Sequence, residues 1–401
     1  MGFGVSNIIY NYKGNYIIIG SIYYMFVFFM FVLAPTSSNG VLPNPNQVII
    51  SWTILLVTIL IGLKWLSRIS VGYFLLVICT ITYLMIITIL SNHYDPNGRF
   101  SIARVAPIIS FLLMSMLSIR ISVSIKMVKF LIHLFMLVFI IWNLLIVIDN
   151  SYIKEFTISN FTQLYQDATA NMFFKRRPIM SFGIYTFASF FYFLFFWIIK
   201  SLWSLTKKKI YLVYLILILI ANILLVSNTS FIFSLIMIYY VYKSFENNVF
   251  RVSIILLVIF ISFLLFENFN LMEYYLESFN SDGNGFKGRY TTQGTLSYNL
   301  QYIDRFFLIG FNIVNGLTYT DSGYVVLYTM GGGIFVIAMY VCLYRFLHKN
   351  IPNDLVYILI PILIFETALP VIIYYKFIYA SIFLVMSLKS IDAFRLKQQS
   401  L

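Results

Sequence analysis

Four arginines are the residues of this chain best suited to binding a charged ligand. Arg289 follows Gly288, whose lack of a side chain permits close approach to a ligand, and Arg305 lies further along the same polar stretch. Arg176 and Arg177 stand side by side just before a long apolar run. A guanidinium group binds phosphate through its charge and its forked geometry, so these residues predict an anion-binding site. Each arginine taken alone is equally well explained by contact with lipid headgroups.

Two acids are candidate general bases, since a carboxylate can accept a proton from an attacking hydroxyl group. Asp321 opens the sequence DSGY, where a polar stretch returns to an apolar run, and N-capping of a helix explains it as well. Glu366 lies inside an apolar run between Pro361 and Pro370. An acid within a membrane span predicts a functional site, although pairing with a basic residue or hydrogen bonding to a proline-freed carbonyl accounts for Glu366 too.

The other polar residues give weaker indications. Tyr290 and Tyr324 could stack on sugar rings, whereas most aromatic residues of the chain are typical of lipid-facing positions. The histidines, cysteines and acids show no spacing typical of a metal site. The sequence contains no phosphate-binding loop, dinucleotide-binding glycine pattern or serine-hydrolase motif. It therefore predicts neither a metal nor an organic cofactor.

These residues lie among apolar runs that predict a membrane protein. Of the 401 residues, 61% are hydrophobic and 10% are charged, whereas soluble domains carry about 25% charged residues. The sequence predicts an all-α polytopic membrane protein, with residues 1–401 forming a single integral membrane domain of about 12 transmembrane helices. The predicted spans are 15–34, 48–66, 71–90, 103–119, 130–148, 180–199, 210–226, 229–242, 252–266, 322–344, 353–371 and 374–388.

The net charge of +13 is explained by the orientation of these spans. With both termini in the cytoplasm, every inner segment carries lysine or arginine, as the positive-inside rule requires, and the outer segments are balanced. The long polar stretches 149–178 and 267–321 then become external loops, and we expect short helices in the second. A basic composition of this origin gives no reason to expect a nucleic-acid partner.

On this layout, one part of the chain resembles a known family. The Gly288–Arg289 pair, a helical stretch, the glycine-rich return LIGFNIVNG and then DSGYVVLYTMGGGIF are similar to the tail of the Wzy-type polymerases of bacterial O-antigens and capsules. The resemblance implies a GT-C-like arrangement of helices. In the related O-antigen ligases, a histidine opens the span after the large loop and is thought to act as the base. Asp321 occupies the matching position here and the large loop holds no histidine, which favours a polymerase over a ligase.

The resemblance implies a glycosyltransferase at the outer face of a bacterial inner, or plasma, membrane. Its substrates would be undecaprenyl-pyrophosphate-linked oligosaccharides. Its partners would be membrane lipids, together with a chain-length regulator and a flippase of the same pathway. Asp321 or Glu366 would deprotonate the acceptor hydroxyl, while Arg289 with Arg176 or Arg177 would bind the pyrophosphate.

The first external loop bears on the metal requirement, and three other functions remain as alternatives. Metal-dependent transferases of similar architecture carry acids in the first external loop, and this first loop, 35–47, has none, which favours a metal-independent site. A ligase that moves a finished glycan is the nearest alternative. A flippase for lipid-linked oligosaccharides would place polar groups in its spans, and a structural assembly partner would not need arginines in two separate loops.

Overall fold

The computed structural model describes the chain in several ranges, and all regular structure within them is helical. The described residues are 3–34, 70–94, 102–119, 123–161, 176–244 and 322–399, with 251–253, 256, 258–260, 263, 307–308 and 310 in addition. In chain order the helices are α1 (Phe3–Val32), α2 (Val71–Tyr94), α3 (Ile102–Ser115), α4 (Ile125–Val147), α5 (Ser151–Phe161), α6 (Tyr185–Thr206), α7 (Lys209–Leu224), α8 (Asn228–Ser244), α9 (Gly323–Asn350), α10 (Leu355–Glu366) and α11 (Tyr375–Gln399), with a 3-10 turn at Pro352–Asp354.

Five of these helices are long and apolar enough to cross a membrane, which identifies a membrane protein. A hydrocarbon core of about 30 Å needs about 20 helical residues. The segments that meet this length are Val71–Leu90, Ile125–Val147, Tyr185–Thr206, Gly323–Asn350 and Lys376–Gln399. Shorter apolar helices lie at Ile18–Val32, Val105–Ser115, Lys209–Leu224 and Arg251–Phe260. The all-helical membrane architecture expected from the sequence is confirmed at this level, while the predicted span 48–66 and much of 252–266 lie outside the described residues.

The first part of the predicted loop 149–178 is a helix. The side-chain oxygen of Asn150 accepts a hydrogen bond from the backbone N–H of Ile153 and so caps the start of α5. The Trp142 indole donates to Thr157 Oγ1 at 3.0 Å, and Phe161 is buried. These contacts fold α5 back against α4, and residues 162–175 lie outside the described ranges.

Helices α6 and α11 form the centre of the bundle and are buried on nearly all sides. Helix α6 packs against α7, α8 and α11, and α11 packs in addition against α1, α3 and α4. Aromatic side chains make many of the contacts in this bundle. Phe195 of α6, for example, stacks on Phe135 of α4 and on Phe31 of α1. Aromatic pairs of this kind add about 0.5–1.5 kcal/mol each beyond their buried area. The bundle therefore has a closely packed apolar core.

One end of the bundle, which we name the Asn350 end, is held by polar side chains that bind free helix carbonyls. The Asn350 side-chain amide donates to Leu117 O, and Lys389 donates to Ile119 O and to Asn350 Oδ1. Nearby, the Trp197 indole donates to Asp354 Oδ1 at 2.9 Å. Burial raises the pKa of Asp354, and the hydrogen bond from Trp197 opposes that rise. This end is structural, because its polar groups close off helix termini.

Helix α9 is broken where the sequence has three consecutive glycines. Gly332 adopts a φ of 78°, in the left-handed region that favours glycine. The break separates Gly333 from the usual helical acceptor, and its N–H donates instead to Phe307 O at 2.7 Å. Three consecutive glycines in a sequence predict tight helix packing or a bend rather than a ligand-binding loop, and both are present here. Phe307, within the polar stretch 267–321, therefore supplies an acceptor to a backbone group that the membrane could not satisfy.

Two further contacts hold the 307–310 segment in this break. The Tyr83 hydroxyl of α2 donates to Gly331 O at 2.9 Å and also contacts Leu308 O. Gly310 has a φ of 65°, and a Cβ atom there would lie 2.7 Å from Thr329 O. An alanine at 310 would therefore clash with the α9 backbone, so the close approach depends on glycine.

The Tyr83→Phe substitution is expected to loosen this contact. It removes the hydroxyl that donates to Gly331 O and contacts Leu308 O, and the loss of one such hydrogen bond costs about 0.5–1.5 kcal/mol. The free energy of unfolding in detergent, together with the rate of proteolytic cleavage within 267–321, measures the effect. Tyr73→Phe is the matched control on the same helix, because Tyr73 hydrogen-bonds to Ser115 and Cys342. Equal rates of cleavage within 267–321 in the two variants would contradict the clamping role of Tyr83.

Candidate functional site

The buried charges of the described ranges all lie at the end of the bundle opposite Asn350. Three charged side chains are less than a tenth exposed: Arg177 at 7%, and Glu366 and Lys376 at 0%. Arg177 belongs to the loop 176–184 before α6, Glu366 ends α10, and Lys376 lies in the first turn of α11. We name this the Glu366 end.

Glu366 is held by hydrogen bonds from the turn that follows it. Its Oε1 accepts from the backbone N–H of Ile372 at 2.9 Å, and the N–H of Val371 also bonds to the carboxylate. Its Oε2 accepts from the Tyr340 hydroxyl of α9 at 3.2 Å. The sequence offered two partners for this acid, a basic side chain and a proline-freed carbonyl. No described lysine or arginine forms an ion pair with Glu366, and its partners are N–H and O–H donors rather than a carbonyl. The carboxylate instead closes the turn 367–374, which ends the predicted span 353–371 early, at residue 366.

The Glu366 carboxylate also packs on the first residues of α9. A Cβ atom on Gly323 would collide with Glu366 Oε2 and would lie 2.9 Å from Pro370 Cα. The Ser322 hydroxyl approaches the backbone oxygen of Glu366 at 3.5 Å. Asp321 precedes Ser322 in the chain and lies outside the described residues. The residues that directly follow one candidate base are therefore in contact with the other.

The N-cap position of α9 belongs to Ser322, one residue later than the capping interpretation of Asp321 required. Ser322 has extended backbone angles, and its carbonyl accepts the first helical hydrogen bond, from the N–H of Val326 at 2.9 Å. Its side chain makes no capping bond and turns towards Glu366 instead. The N-cap of α9 is therefore Ser322 and not Asp321, which lies outside the described residues.

Tyr324, in the first turn of α9, contacts α10. Its hydroxyl donates to Leu363 O of α10 at 2.8 Å, and its ring lies 5.2 Å from that of Tyr340. Tyr324 is thus a bridge between α9 and α10. The contact ties together the two helix ends from which Glu366 and the start of α9 project.

The neighbouring arginines Arg176 and Arg177 lie in different surroundings. The Arg176 side chain is 41% exposed, and its guanidinium lies 3.8 Å from Asp149 Oδ2, which Lys154 also contacts. Burial lowers the pKa of Lys154, and the charge of Arg176 lowers it further. Arg177 is buried over the ring of Tyr185, 4.6 Å from its centroid. Only Arg177 is therefore oriented into the protein.

The first turn of α6 lies between Arg177 and Glu366. Tyr185 contacts Arg177, while Phe187 stacks on Tyr374 with centroids 4.2 Å apart and contacts Phe365, next to Glu366. The described residues form no ion pair across this layer. The two groups thus share one end of the bundle without touching each other.

Lys376 was not among the site residues predicted from the sequence, and it falls within the predicted span 374–388. The available signal was a charged residue at the start of a long apolar helix, flanked by aromatic residues. Its burial depends on Phe161 and Phe182, which come from distant parts of the chain. A pattern within one helix does not reveal such a contact.

No family model, curated protein or solved structure matches this chain. Its function is therefore inferred from its own residues and from the resemblance stated above.

Some predicted site residues lie outside the described ranges, namely Arg289, Tyr290, Arg305 and Asp321. In the described part, no group of three histidine, cysteine, aspartate or glutamate side chains could hold a metal ion. An apolar groove of about 270 Å³ runs between α8 and α10, lined by Tyr239 and Pro361 among others. The groove contains none of the predicted site residues, so the candidate chemistry lies at the Glu366 end.

Proposed function

We propose that this chain is a polysaccharide polymerase, which transfers a growing glycan from undecaprenyl pyrophosphate onto a new lipid-linked repeat unit. The transfer takes place at the Glu366 end, which faces away from the cytoplasm of a bacterial plasma membrane. The observation that carries the proposal is the position of Arg177, Glu366 and Lys376, the fully or nearly buried charges of the described ranges, at this one end. Buried charge in a membrane protein is costly and is typically retained for binding or catalysis.

The polar stretches of the sequence support the same end. Arg177 lies near the end of the stretch 149–178. The stretch 267–321 leads into Ser322 at the start of α9. A lipid-linked oligosaccharide has an apolar tail, a charged pyrophosphate and a polar glycan. An apolar bundle with buried basic residues at one end, in a sequence that also carries long polar stretches, matches these three parts.

The proposed reaction is a substitution at the reducing-end carbon of the growing glycan. A hydroxyl oxygen of the acceptor unit attacks that carbon, and the bond from the carbon to the pyrophosphate oxygen breaks. The electron pair leaves with the pyrophosphate, whose added charge Arg177 and Arg289 stabilise. The hydroxyl proton passes to the carboxylate of Asp321 and then to water, so the general base is regenerated.

Glu366 acts in this proposal as a positioning residue. Both of its oxygens accept hydrogen bonds, and the side chain is fully buried against Gly323. A carboxylate so occupied holds the start of α9, and with it the chain segment that carries Asp321. Preorganisation of this kind is what a reactive group on a loop requires from its support.

A flippase for lipid-linked oligosaccharides is the second candidate, and the break of α9 at Gly332 favours it. Discontinuous helices are typical of transporters, in which they form the binding site near the middle of the membrane. A ligase-like glycan transferase is the nearest alternative within the same chemistry, since it differs only in the acceptor. Analysis of the glycan made by living cells separates the three functions.

The pair Arg177→Ala and Arg176→Ala tests the site directly. We expect Arg177→Ala to lower glycan polymerisation by about 10²–10³-fold, as the loss of one stabilising donor does in other transferases and hydrolases. Arg176→Ala removes a half-exposed ion pair worth about 1 kcal/mol or less and should leave the ladder of glycan lengths nearly unchanged. The readout is a gel of surface polysaccharide at matched protein levels. Equal losses from both variants would contradict the different roles assigned to them.

A further inference from the structure

Lys376 is a buried basic side chain that the reaction above does not use. Its side chain is 0% exposed, and Nζ donates one hydrogen bond, to Ser181 O at 2.9 Å. The rings of Phe161 and Phe182 flank the ammonium, with centroids 5.3 and 5.4 Å from Nζ. None of the ion pairs among the described side chains includes it. An ammonium has three N–H donors, so two of them lack an oxygen partner among the described residues.

The surroundings of Lys376 compensate this charge only in part. The Ser181 hydroxyl donates to Val32 O, at the carboxyl end of α1, so the ammonium lies near the negative end of a helix dipole. Ring contacts with a desolvated cation contribute about 2 kcal/mol. Burying an ion costs several kcal/mol even after the protein relaxes. The site is therefore arranged for an additional negative group.

We propose that Lys376 binds the pyrophosphate group of an isoprenoid pyrophosphate, in a site formed with the loop 176–184. This proposal rests on the function proposed above and assigns the leaving group of that reaction to a second cation besides Arg177. Lys376 donates a hydrogen bond to Ser181 O, in the same loop 176–184 that carries Arg177. One loop therefore links the two basic residues. An ammonium at the end of a flexible stem can exchange Ser181 O for a phosphoryl oxygen by rotation of its own side chain.

The geometry also fixes what must move. The rings of Phe161 and Phe182 close off the ammonium, so an incoming phosphate displaces one of these rings or the loop that carries Phe182. In the absence of a ligand the charge stays buried, and the pyrophosphate meets a cation that water has not already solvated. Electrostatic attraction is stronger in such a desolvated site.

The test measures ligand-induced stabilisation of the purified full-length protein in detergent. The probes are farnesyl pyrophosphate, inorganic pyrophosphate and phosphatidylglycerol, each titrated while the unfolding midpoint is followed. The variants are Lys376→Met, which keeps the length of the side chain, and Lys397→Met, which removes a charge from the far end of the same helix. We expect both pyrophosphates to stabilise the wild type and Lys397→Met, and to bind Lys376→Met about tenfold to a hundredfold more weakly.

Stability without ligand separates a binding role from a structural one. If Lys376 is retained for a ligand, replacing it by an apolar residue leaves the unfolding midpoint unchanged or raises it. Should Lys376→Met fail to fold, Lys376→Gln keeps a donor to Ser181 O without the charge and takes its place. Failure of both variants to fold, or an unchanged response to pyrophosphate, would overturn the proposal. A Lys376-dependent response to phosphatidylglycerol as large as that to farnesyl pyrophosphate would assign the site to a lipid headgroup and overturn it as well.

The outcome is independent of glycan transfer, because no probe carries a sugar. Farnesyl pyrophosphate binding through Lys376 in a protein that makes no glycan ladder would remove the proposed function and keep the site. A normal ladder with no binding through Lys376 would remove the site alone.

Discussion

Glu366→Ala is expected to abolish glycan polymerisation through loss of structure at the start of α9. The substitution leaves the N–H groups of Val371 and Ile372 without their acceptor, at a cost of about 1–3 kcal/mol each. It also opens a space next to Gly323. Limited proteolysis of membranes and the unfolding midpoint in detergent report the structural loss, and a polysaccharide gel reports the functional one.

Glu366→Gln distinguishes this positioning role from catalysis. The amide oxygen can still accept from Ile372, and the amide nitrogen can donate to the Tyr340 hydroxyl oxygen. We therefore expect the glutamine variant to retain polymerisation within about tenfold of the wild type, whereas removal of a general base costs about 10²–10⁴-fold. A glutamine variant that folds normally but makes no ladder would make Glu366 the base and contradict its assignment as a support.

Asp321→Asn is expected to have the largest effect on the chemistry itself. Asparagine resembles aspartate in size and hydrogen bonding but does not take up the acceptor proton, so the rate should fall by about 10²–10⁴-fold. The N-cap of α9 is Ser322, so the fold at that helix start should not depend on the carboxylate. The measurement is the rate of chain extension in membranes that contain equal amounts of wild type and variant.

The matched control for this prediction is Ser322→Ala. Its hydroxyl makes no capping bond and lies at the long distance of 3.5 Å from Glu366 O, so the control should keep most of its activity. Retained chain extension by Asp321→Asn would remove Asp321 from the role of base. Loss of activity in both variants to the same degree would indicate that the start of α9 has been disturbed as a whole.

The positions of the helices follow from the sequence because the length of an apolar run directly reflects membrane thickness. The predicted span 130–148 matches α4 up to its last helical residue, Val147, and 210–226 corresponds closely to α7. Helix α5 escaped prediction because its sequence, SYIKEFTISNF, is neither apolar enough for a span nor strongly periodic. The break at Gly332 was expected only as a bend, since three glycines do not reveal which segment fills the gap they leave.

The candidate site was predictable in its residue types and less so in its contacts. Glu366 could be selected because an acid in an apolar run is unusual, but its contact with Gly323 depends on how α9 and α10 pack. Arg176 and Arg177 are equivalent in sequence, and only the ring of Tyr185 and the charge of Asp149 distinguish them. Lys376 became a candidate through burial by residues far away in the chain. Contacts between distant segments determine each of these differences.

The central claim is tested most directly by deleting the gene and running a gel of the surface polysaccharide, with the wild-type chain restored as a control. The proposed function predicts single repeat units in place of a ladder of lengths, and recovery of the ladder on restoration. Absence of exported units would indicate a flippase, and long chains left on the lipid carrier would indicate a ligase. A full ladder without the protein would contradict any role of this chain in building the glycan.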